Sequence, residues 1–236
     1  MISSFKPEDK VLILDFDHTC YDTDDFLLAE IRRPMLNRFN IPVESWEKSY
    51  KEAVSRGYSL EQHLEELTKI MKFAPCSLKD IKDFGEAINF NKYLYADCMP
   101  FLKKAKEKKY RIMVLSFGEV GWQNKKVFGV GLEKIVDVIE YVIVDENNSK
   151  AEAVKKYAGN CSRVIFVDNK GSNLDIVHNT LPNVETYLIN RVPNDAMNFG
   201  NDDQIRVKYL ESRRIAGRQS LFSHKHCSSF EDIILD

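Results

Sequence analysis

Two aspartates placed directly after an apolar run are the residues best suited to chemistry in this chain. Residues 11–14 are all apolar, and Asp15 and Asp17 follow with one residue between them. A short apolar run of this kind is typical of a buried strand in a parallel sheet. Residues two apart on an extended chain point the same way, so both carboxylates leave the strand end together. The pair predicts a shared proton or a bound divalent cation, and the alternative interpretation is that of helix caps or turn residues.

Two later polar residues are also expected at the end of a strand or the start of a helix. An apolar run at residues 112–115, which follows Arg111, ends in Ser116, which we expect at the end of a second buried strand. Lys150 follows Ser149, a plausible helix N-cap, and so falls in the first turn of a helix. A lysine there opposes the helix dipole, which favours a functional use for it.

A polar loop follows a further apolar run. Residues 163–167 predict a strand that leads into Asp168 and Asn169, with Asn173 and Asp175 close behind. The amide oxygen of Asn169 can coordinate Mg²⁺ but brings no charge to the site.

The stretch after the first strand is helical in its periodicity for about seventy residues, without a convincing strand. Its apolar residues fall into four amphipathic segments: residues 26–36, 46–54, 60–71 and 78–88. Ser59 with Gln62 predicts a capping box, and Ser77 with Asp80 predicts a cap for the next helix. Pro34 is expected to kink the first segment or to end its first part.

Regular α/β alternation resumes near residue 95. A helix is expected over residues 119–131, and strands over residues 141–144 and 185–190. Residues 191–219 are polar and carry no recognisable signature. Residues 224–227 contain two histidines and a cysteine but lack the second ligand pair of a zinc site, so a loop is predicted there.

The order of these positions resembles that of the haloacid dehalogenase-like hydrolase superfamily. Its first motif, Asp-x-Asp-x-Thr after an apolar strand, is matched by Asp15, Asp17 and Thr19. Ser116 and Lys150 match the second and third motifs in order, and the loop that begins at Asp168 stands where the fourth belongs. The commonest form of that fourth motif has an acid where this chain has Asn169.

The resemblance implies a fold and a domain arrangement. The expected fold is α/β, a Rossmann-like, doubly wound parallel sheet with a small inserted α-helical cap domain. Residues 1–19 and 97–236 would form the core domain, and residues 20–96 the cap that closes over the site and selects the substrate.

The resemblance also implies a Mg²⁺-dependent phosphatase for a small phosphomonoester. Asp15 would be the nucleophile that forms an aspartyl-phosphate, and Asp17 the general acid and base. Mg²⁺ would be held by Asp15, Asp17 through its backbone carbonyl, and the Asp168–Asn169 pair. The residues expected to contact the phosphoryl group or the substrate are His18, Thr19, Ser116, Phe117, Gly118 and Lys150. A structural role for His18 in the turn stays equally open.

Three alternative functions are a dehalogenase, a phosphomutase and a binding or regulatory protein. In this family the dehalogenases lack an acid at the second aspartate position, because a halide leaves without a proton, so Asp17 argues for phosphoester chemistry. A phosphomutase of the same superfamily would differ mainly in the acceptor of the phosphoryl group. A catalytically weakened binding or regulatory protein is favoured by Asn169 and opposed by the other matches.

Composition sets outer limits on the function. The chain has 236 residues, of which 44% are hydrophobic and 30% charged, with a net charge of −2. This charge gives no global footprint for nucleic acid, and no apolar run reaches the length of a membrane helix. The five cysteines are scattered, which favours a reducing cytoplasm over a disulfide framework. We expect a small phosphorylated metabolite as the partner, without nucleic acid or membrane, and leave the oligomeric state open.

Overall fold

The computed structural model describes residues 4–143, 149–191 and 220–236. Its described strands form one six-stranded, entirely parallel sheet in the order β3-β2-β1-β4-β5-β6. The strands are β1 (Lys10–Leu14), β2 (Tyr110–Phe117), β3 (Val138–Val142), β4 (Arg163–Asp168), β5 (Glu185–Ile189) and β6 (Lys225–Cys227). The predicted doubly wound parallel α/β fold is confirmed.

The strand order places β1 at the point where the chain changes its direction of travel across the sheet. In the backbone register, Leu14 lies opposite Val114 of β2 on one side and Val167 of β4 on the other. Asp15 and Asp168 therefore leave adjacent strands at the same edge. In open parallel sheets this switch point is where ligands bind.

Helices cover both faces of the sheet. The described α-helices are α1 (Thr23–Phe26), α2 (Arg33–Arg38), α3 (Val43–Ser55), α4 (Leu60–Met71), α5 (Leu78–Glu86), α6 (Cys98–Glu107), α7 (Val120–Gly129), α8 (Lys150–Ala158) and α9 (Gly171–Thr180). A π-helical stretch, Leu27–Arg32, joins α1 to α2. Short 3₁₀ turns lie at Asn91–Tyr93, Leu132–Lys134 and Phe230–Asp232.

Helices α1 to α5 form a helical insertion between β1 and α6, within the range predicted for the cap. One hydrophobic cluster contains Leu12 and Val114 of the sheet together with Trp46 and Leu67 of the insertion. The insertion and this face of the sheet therefore share one continuous hydrophobic cluster. A second cluster, which includes Val154 and Leu174, fills the opposite face beneath α8 and α9.

The predicted helix caps of the insertion are present in the structure, one of them only in part. Ser77 and Asp80 bond to each other's backbone N–H groups as a full capping box. Ser59 accepts from the Gln62 N–H at 3.1 Å, but the Gln62 side-chain oxygen has no hydrogen-bond partner among the described residues, so only half of that predicted box forms. Helical structure continues through Pro34, which stands just after the π-helical stretch. The proline marks a change of helix type, because it has no N–H to donate.

Two strand predictions need correction. β3 spans Val138–Val142, so it begins three residues before the predicted start at residue 141. The loop predicted at residues 224–227 is wrong, because Lys225–Cys227 is an edge strand paired with β5. A three-residue strand is too short to show an alternating pattern, and its backbone pairing with β5 decides its structure. No described helix has both the length and the apolar character needed to cross a membrane.

Candidate active site

A cavity of about 220 Å³ opens at the carboxyl ends of β1 and β4. We call its charged side the floor, which consists of Asp15, Asp17, Lys126, Lys150 and Asn169. The opposite side is the apolar wall, which consists of Phe26, Leu27, Ile31, Tyr50, Val54, Tyr58 and Trp122. Four of these five floor residues, all except Lys126, are among the candidate site residues that the sequence predicts.

Asp15 is buried at the end of β1 and bonded through both carboxylate oxygens. Lys150 Nζ contacts Oδ1, and the Thr19 hydroxyl donates to Oδ2 at 2.9 Å. Burial raises the pKa of Asp15 to about 7, against the opposing effect of Lys150. Each oxygen still has a lone pair for a further partner, because a carboxylate oxygen accepts more than one bond.

Lys150 links two carboxylates that come from adjacent strands. Its ammonium group contacts Asp15 and donates to Asp168 Oδ2 at 2.7 Å. Burial alone would lower the pKa of Lys150, but the two carboxylates hold it above its usual range. Ser149 caps α8 as predicted, accepting from the Glu152 N–H, and so starts the helix that places Lys150 here.

Asp17 is held by three side chains. Lys126 and the Thr23 hydroxyl contact Oδ1, and Gln123 Nε2 donates to Oδ2 at 2.9 Å. Burial would raise the pKa of Asp17, yet Lys126 outweighs that effect and lowers the pKa to about 2. In this geometry Asp17 is an ionised carboxylate.

The sequence analysis missed Lys126 and Gln123. Both are buried on α7, three residues apart, and so lie on one helix face. In the sequence, these two residues are visible only as a glutamine and a lysine at helical spacing between two predicted strands. That signal is common on solvated helices, and only the packing of α7 beside Asp17 gives it a function.

The structure separates the roles of Asp168 and Asn169. Asp168 is fully buried, and its oxygens accept from Lys150, from Asn173 Nδ2 at 2.9 Å and from the Lys170 N–H at 2.8 Å. Asn169 lines the cavity, whereas Asp168 does not. The geometry therefore favours Asn169 for direct contact with a bound group and Asp168 for orienting Lys150. Asp175 instead binds the segment from Ser220 to His224 and so supports the fold.

The other predicted contact residues divide into two groups. His18 and Phe117 line the cavity. His18 also has a left-handed backbone and lies 3.8 Å from Asp24, so the turn contact exists as well. The Thr19 hydroxyl donates to Asp15, and Gly118 lies against the Gln123 side chain. Ser116 is buried, does not line the cavity, and has no hydrogen-bond partner for its hydroxyl among the described residues.

The donor set can be tested against a divalent cation. Within the described ranges, no three His, Cys, Asp or Glu side chains gather into a metal cluster. The predicted set is Asp15, the backbone carbonyl of Asp17 and the Asp168–Asn169 pair, all of them oxygen donors of the kind that Mg²⁺ prefers, and of these Asp168 does not line the cavity. The two side chains that would bind directly, Asp15 and Asn169, face one cavity. The set fits one Mg²⁺, with a single carboxylate as its charged ligand.

Comparison with solved structures identifies the fold. A haloacid dehalogenase-like hydrolase from Burkholderia xenovorans is similar with a TM-score of 0.71, 17% identity and coverage of 96% of this chain and 95% of that one. An L-2-haloacid dehalogenase from Xanthobacter autotrophicus has a TM-score of 0.59, 15% identity and coverage of 95% and 96%. A β-phosphoglucomutase-like protein from Thermotoga maritima has a TM-score of 0.55, 15% identity and coverage of 79% and 88%. No family model and no curated protein matches the sequence.

The chain therefore has the haloacid dehalogenase-like fold, as its motifs predict. These structures differ in the reactions that their names give, so the fold by itself does not select a reaction.

Proposed function

We propose that this chain is a Mg²⁺-dependent phosphatase that hydrolyses a small phosphomonoester through an aspartyl-phosphate on Asp15. The proposal rests on one observation. The two aspartates lie on the floor of one cavity, and each is paired with its own buried lysine. Asp15 has Lys150, and Asp17 has Lys126. This arrangement separates a nucleophile from an acid and base at one site.

Lys150 and Thr19 orient Asp15 for attack. A carboxylate oxygen of Asp15 forms a bond to phosphorus, and the bond from phosphorus to the leaving oxygen breaks. Lys150 keeps a positive charge beside the phosphoryl oxygens during the transfer. A Mg²⁺ ion held by Asp15 and Asn169 would supply further charge neutralisation.

Asp17 donates a proton in the first step and accepts a proton in the second. As its contact with Lys126 weakens, Asp17 takes up a proton from solvent, and it gives that proton to the leaving oxygen in the first step. In the second step it accepts a proton from water as the water attacks phosphorus, which releases phosphate and restores Asp15. The ionised form that Lys126 favours is the form needed for this second step.

The function is tested by assaying phosphate release from p-nitrophenyl phosphate and acetyl phosphate, with Mg²⁺ and with EDTA. The control is Asp15→Asn, which keeps the shape of the side chain and removes the nucleophile. We expect release that requires both Mg²⁺ and Asp15. Release that persists in Asp15→Asn would contradict the mechanism.

A second candidate is a binding or regulatory protein that has lost turnover. It is favoured by Asn169 in an acid's place and by the three side chains that already occupy Asp17. In that case orthovanadate or inorganic phosphate would bind to the wild-type protein without Mg²⁺-dependent release from any ester.

A further inference from the structure

The charges around the cavity are distributed on one side. The charged and histidine side chains that line it, among the described residues, are Asp15, Asp17, His18, Lys126, Lys150 and Lys170. All of them follow β1 or β4 or belong to α7 or α8. The lining residues contributed by the helical insertion are uncharged, and apart from Thr23 and Gly57 they are apolar or aromatic.

The Tyr58 hydroxyl, one of the polar atoms of the wall, is engaged by a buried neighbour. The Tyr58 hydroxyl lies 3.2 Å from His63 Nδ1, and the other ring nitrogen of His63 lies 2.9 Å from the Ser49 hydroxyl. All three residues are buried, and burial lowers the pKa of His63 to about 3, so this network carries no charge at neutral pH. Thr23 donates to Asp17 and so belongs functionally with the floor.

The wall presents ring surfaces in mutual contact. The rings of Tyr58 and Trp122 meet edge to face with centroids 5.5 Å apart, and those of Tyr50 and Tyr58 do the same at 5.5 Å. Phe26 packs against Trp122 at 6.3 Å. Such a cluster accepts another ring in the same offset or edge-to-face geometry.

The cavity volume indicates how much of a ligand the cavity can enclose. An apolar protein cavity of about 150 Å³ holds one benzene molecule. A volume of about 220 Å³ therefore has room for one ring and a phosphoryl group, but it is small beside ordinary ligand pockets.

We infer, on the basis of the phosphatase function proposed above, that the substrate is a phosphomonoester whose leaving group carries one uncharged aromatic ring seated against the apolar wall. The floor takes the phosphoryl group, and the wall takes the ring. A carboxylate, a second phosphate or a polyol at the wall would be buried without a partner, which is costly.

The test compares two esters whose leaving groups are both primary alcohols, so that their chemical reactivities are similar. Benzyl phosphate places a ring at the wall, and glycerol 1-phosphate places two hydroxyls there. We expect kcat/KM for benzyl phosphate to be at least about tenfold higher, because burying a ring is worth more than one kcal/mol. An equal or higher value for glycerol 1-phosphate, or for phosphoglycolate, would overturn the inference and leave the phosphatase function standing.

A binding measurement separates the two proposals. Benzylphosphonate and 2-hydroxyethylphosphonate cannot be hydrolysed, and their affinities are measured by calorimetry on the wild-type protein. Tighter binding of benzylphosphonate supports the seat of a ring at the wall. If no ester is hydrolysed, the proposed function is overturned and the ring-binding wall stands. Equal or weaker binding of benzylphosphonate overturns the inference.

A matched pair of variants places the ring at the wall. Val54, 39% exposed near the end of α3, lines the cavity, whereas Val43, 53% exposed at the start of the same helix, lies outside it. Val54→Thr exchanges a methyl group for a hydroxyl and should raise KM for benzyl phosphate about fourfold, with kcat little changed. Val43→Thr should leave KM unchanged. An equal KM in the two variants would contradict the proposed seat of the ring.

Discussion

The floor and the wall of the cavity differ in where their residues come from and in how their charges are arranged. The floor gathers Asp15, Asp17, Lys126, Lys150 and Asn169 from four separate places in the chain, and each of its charges has an opposite charge within contact. The wall comes mainly from the helical insertion and carries no charge. Under the proposed function, this difference assigns the chemistry to paired charges beside β1 and β4 and the choice of substrate to the packing of the insertion.

The largest effect is expected at the centre of the floor. Lys150→Met leaves Asp15 and Asp168 buried without their shared cation. We expect phosphate release to fall by about 10²–10³-fold and the free energy of unfolding to fall by about 3–5 kcal/mol. Urea unfolding and the phosphate assay measure the two losses. Lys155→Met, an exposed position on the same helix, is the control. Similar losses in the two variants would show that the floor does not depend on this pairing.

The Lys126–Asp17 pair gives the next effect. Without Lys126, burial raises the pKa of Asp17 from about 2, so protonation begins at a higher pH. Lys126→Met should therefore move the acidic limb of the pH profile of kcat upward by more than about one unit. Lys126→Arg should restore the wild-type limb, and the exposed Lys125→Met should not move it. An unchanged limb in Lys126→Met would show that Asp17 does not set it.

Gly57, which precedes Tyr58 of the wall, is a position where an added side chain should reduce stability and weaken substrate binding. Its carbonyl accepts from the Glu119 N–H at 2.9 Å, its φ is +100°, and a Cβ there would lie 2.9 Å from the same nitrogen. Gly57→Ala should cost about 1–3 kcal/mol and raise KM, because Tyr58 is the next residue. Gly131→Ala also has positive φ but meets open space, so its cost should be smaller and its KM unchanged. Thermal unfolding and steady-state kinetics compare the two, and the reverse order would contradict the account.

The uncharged network behind the wall predicts a pH dependence of stability. His63 has its pKa lowered to about 3 in the folded protein, so below pH 6.5 the unfolded chain binds a proton that the folded protein does not. Stability contributed by this group is complete above pH 6.5 and falls by up to about 1.4 kcal/mol per pH unit as the pH drops towards 3.

Urea unfolding from pH 7 to pH 4 measures this slope. His63→Gln should flatten it, and His226→Gln, at an exposed position, should leave it as in the wild type. Equal slopes in the wild type and in His63→Gln would show that His63 is not the group responsible.

The sequence predicted the parts of the floor that follow from local pattern. Asp15 and Asp17 follow an apolar strand, and Lys150 follows the cap residue of its helix, so neighbours in the chain are enough to place them. Lys126 and Gln123 were missed, because their function arises from contact with Asp17 across more than 100 positions of sequence. Local patterns carry no record of such a contact.

The wall was predicted only as a helical insertion. The periodicity of Leu64, Leu67 and Ile81 shows which faces are apolar, but buried core and cavity wall have the same apolar pattern. The edge strand β6 was missed for a similar reason, since backbone pairing with β5 and not side-chain type defines it. Most of residues 191–219, where no signature was found, lie outside the described residues.

The central claim is that Asp15 becomes phosphorylated during turnover. The most direct test is to mix the wild-type protein with acetyl phosphate and Mg²⁺, quench with acid within one turnover, and analyse the peptide that contains Asp15 by mass spectrometry. The account predicts one added phosphoryl group on Asp15, removed by hydroxylamine and missing in Asp15→Asn. Phosphate release without a phosphorylated Asp15, or with the phosphoryl group on another residue, would contradict it.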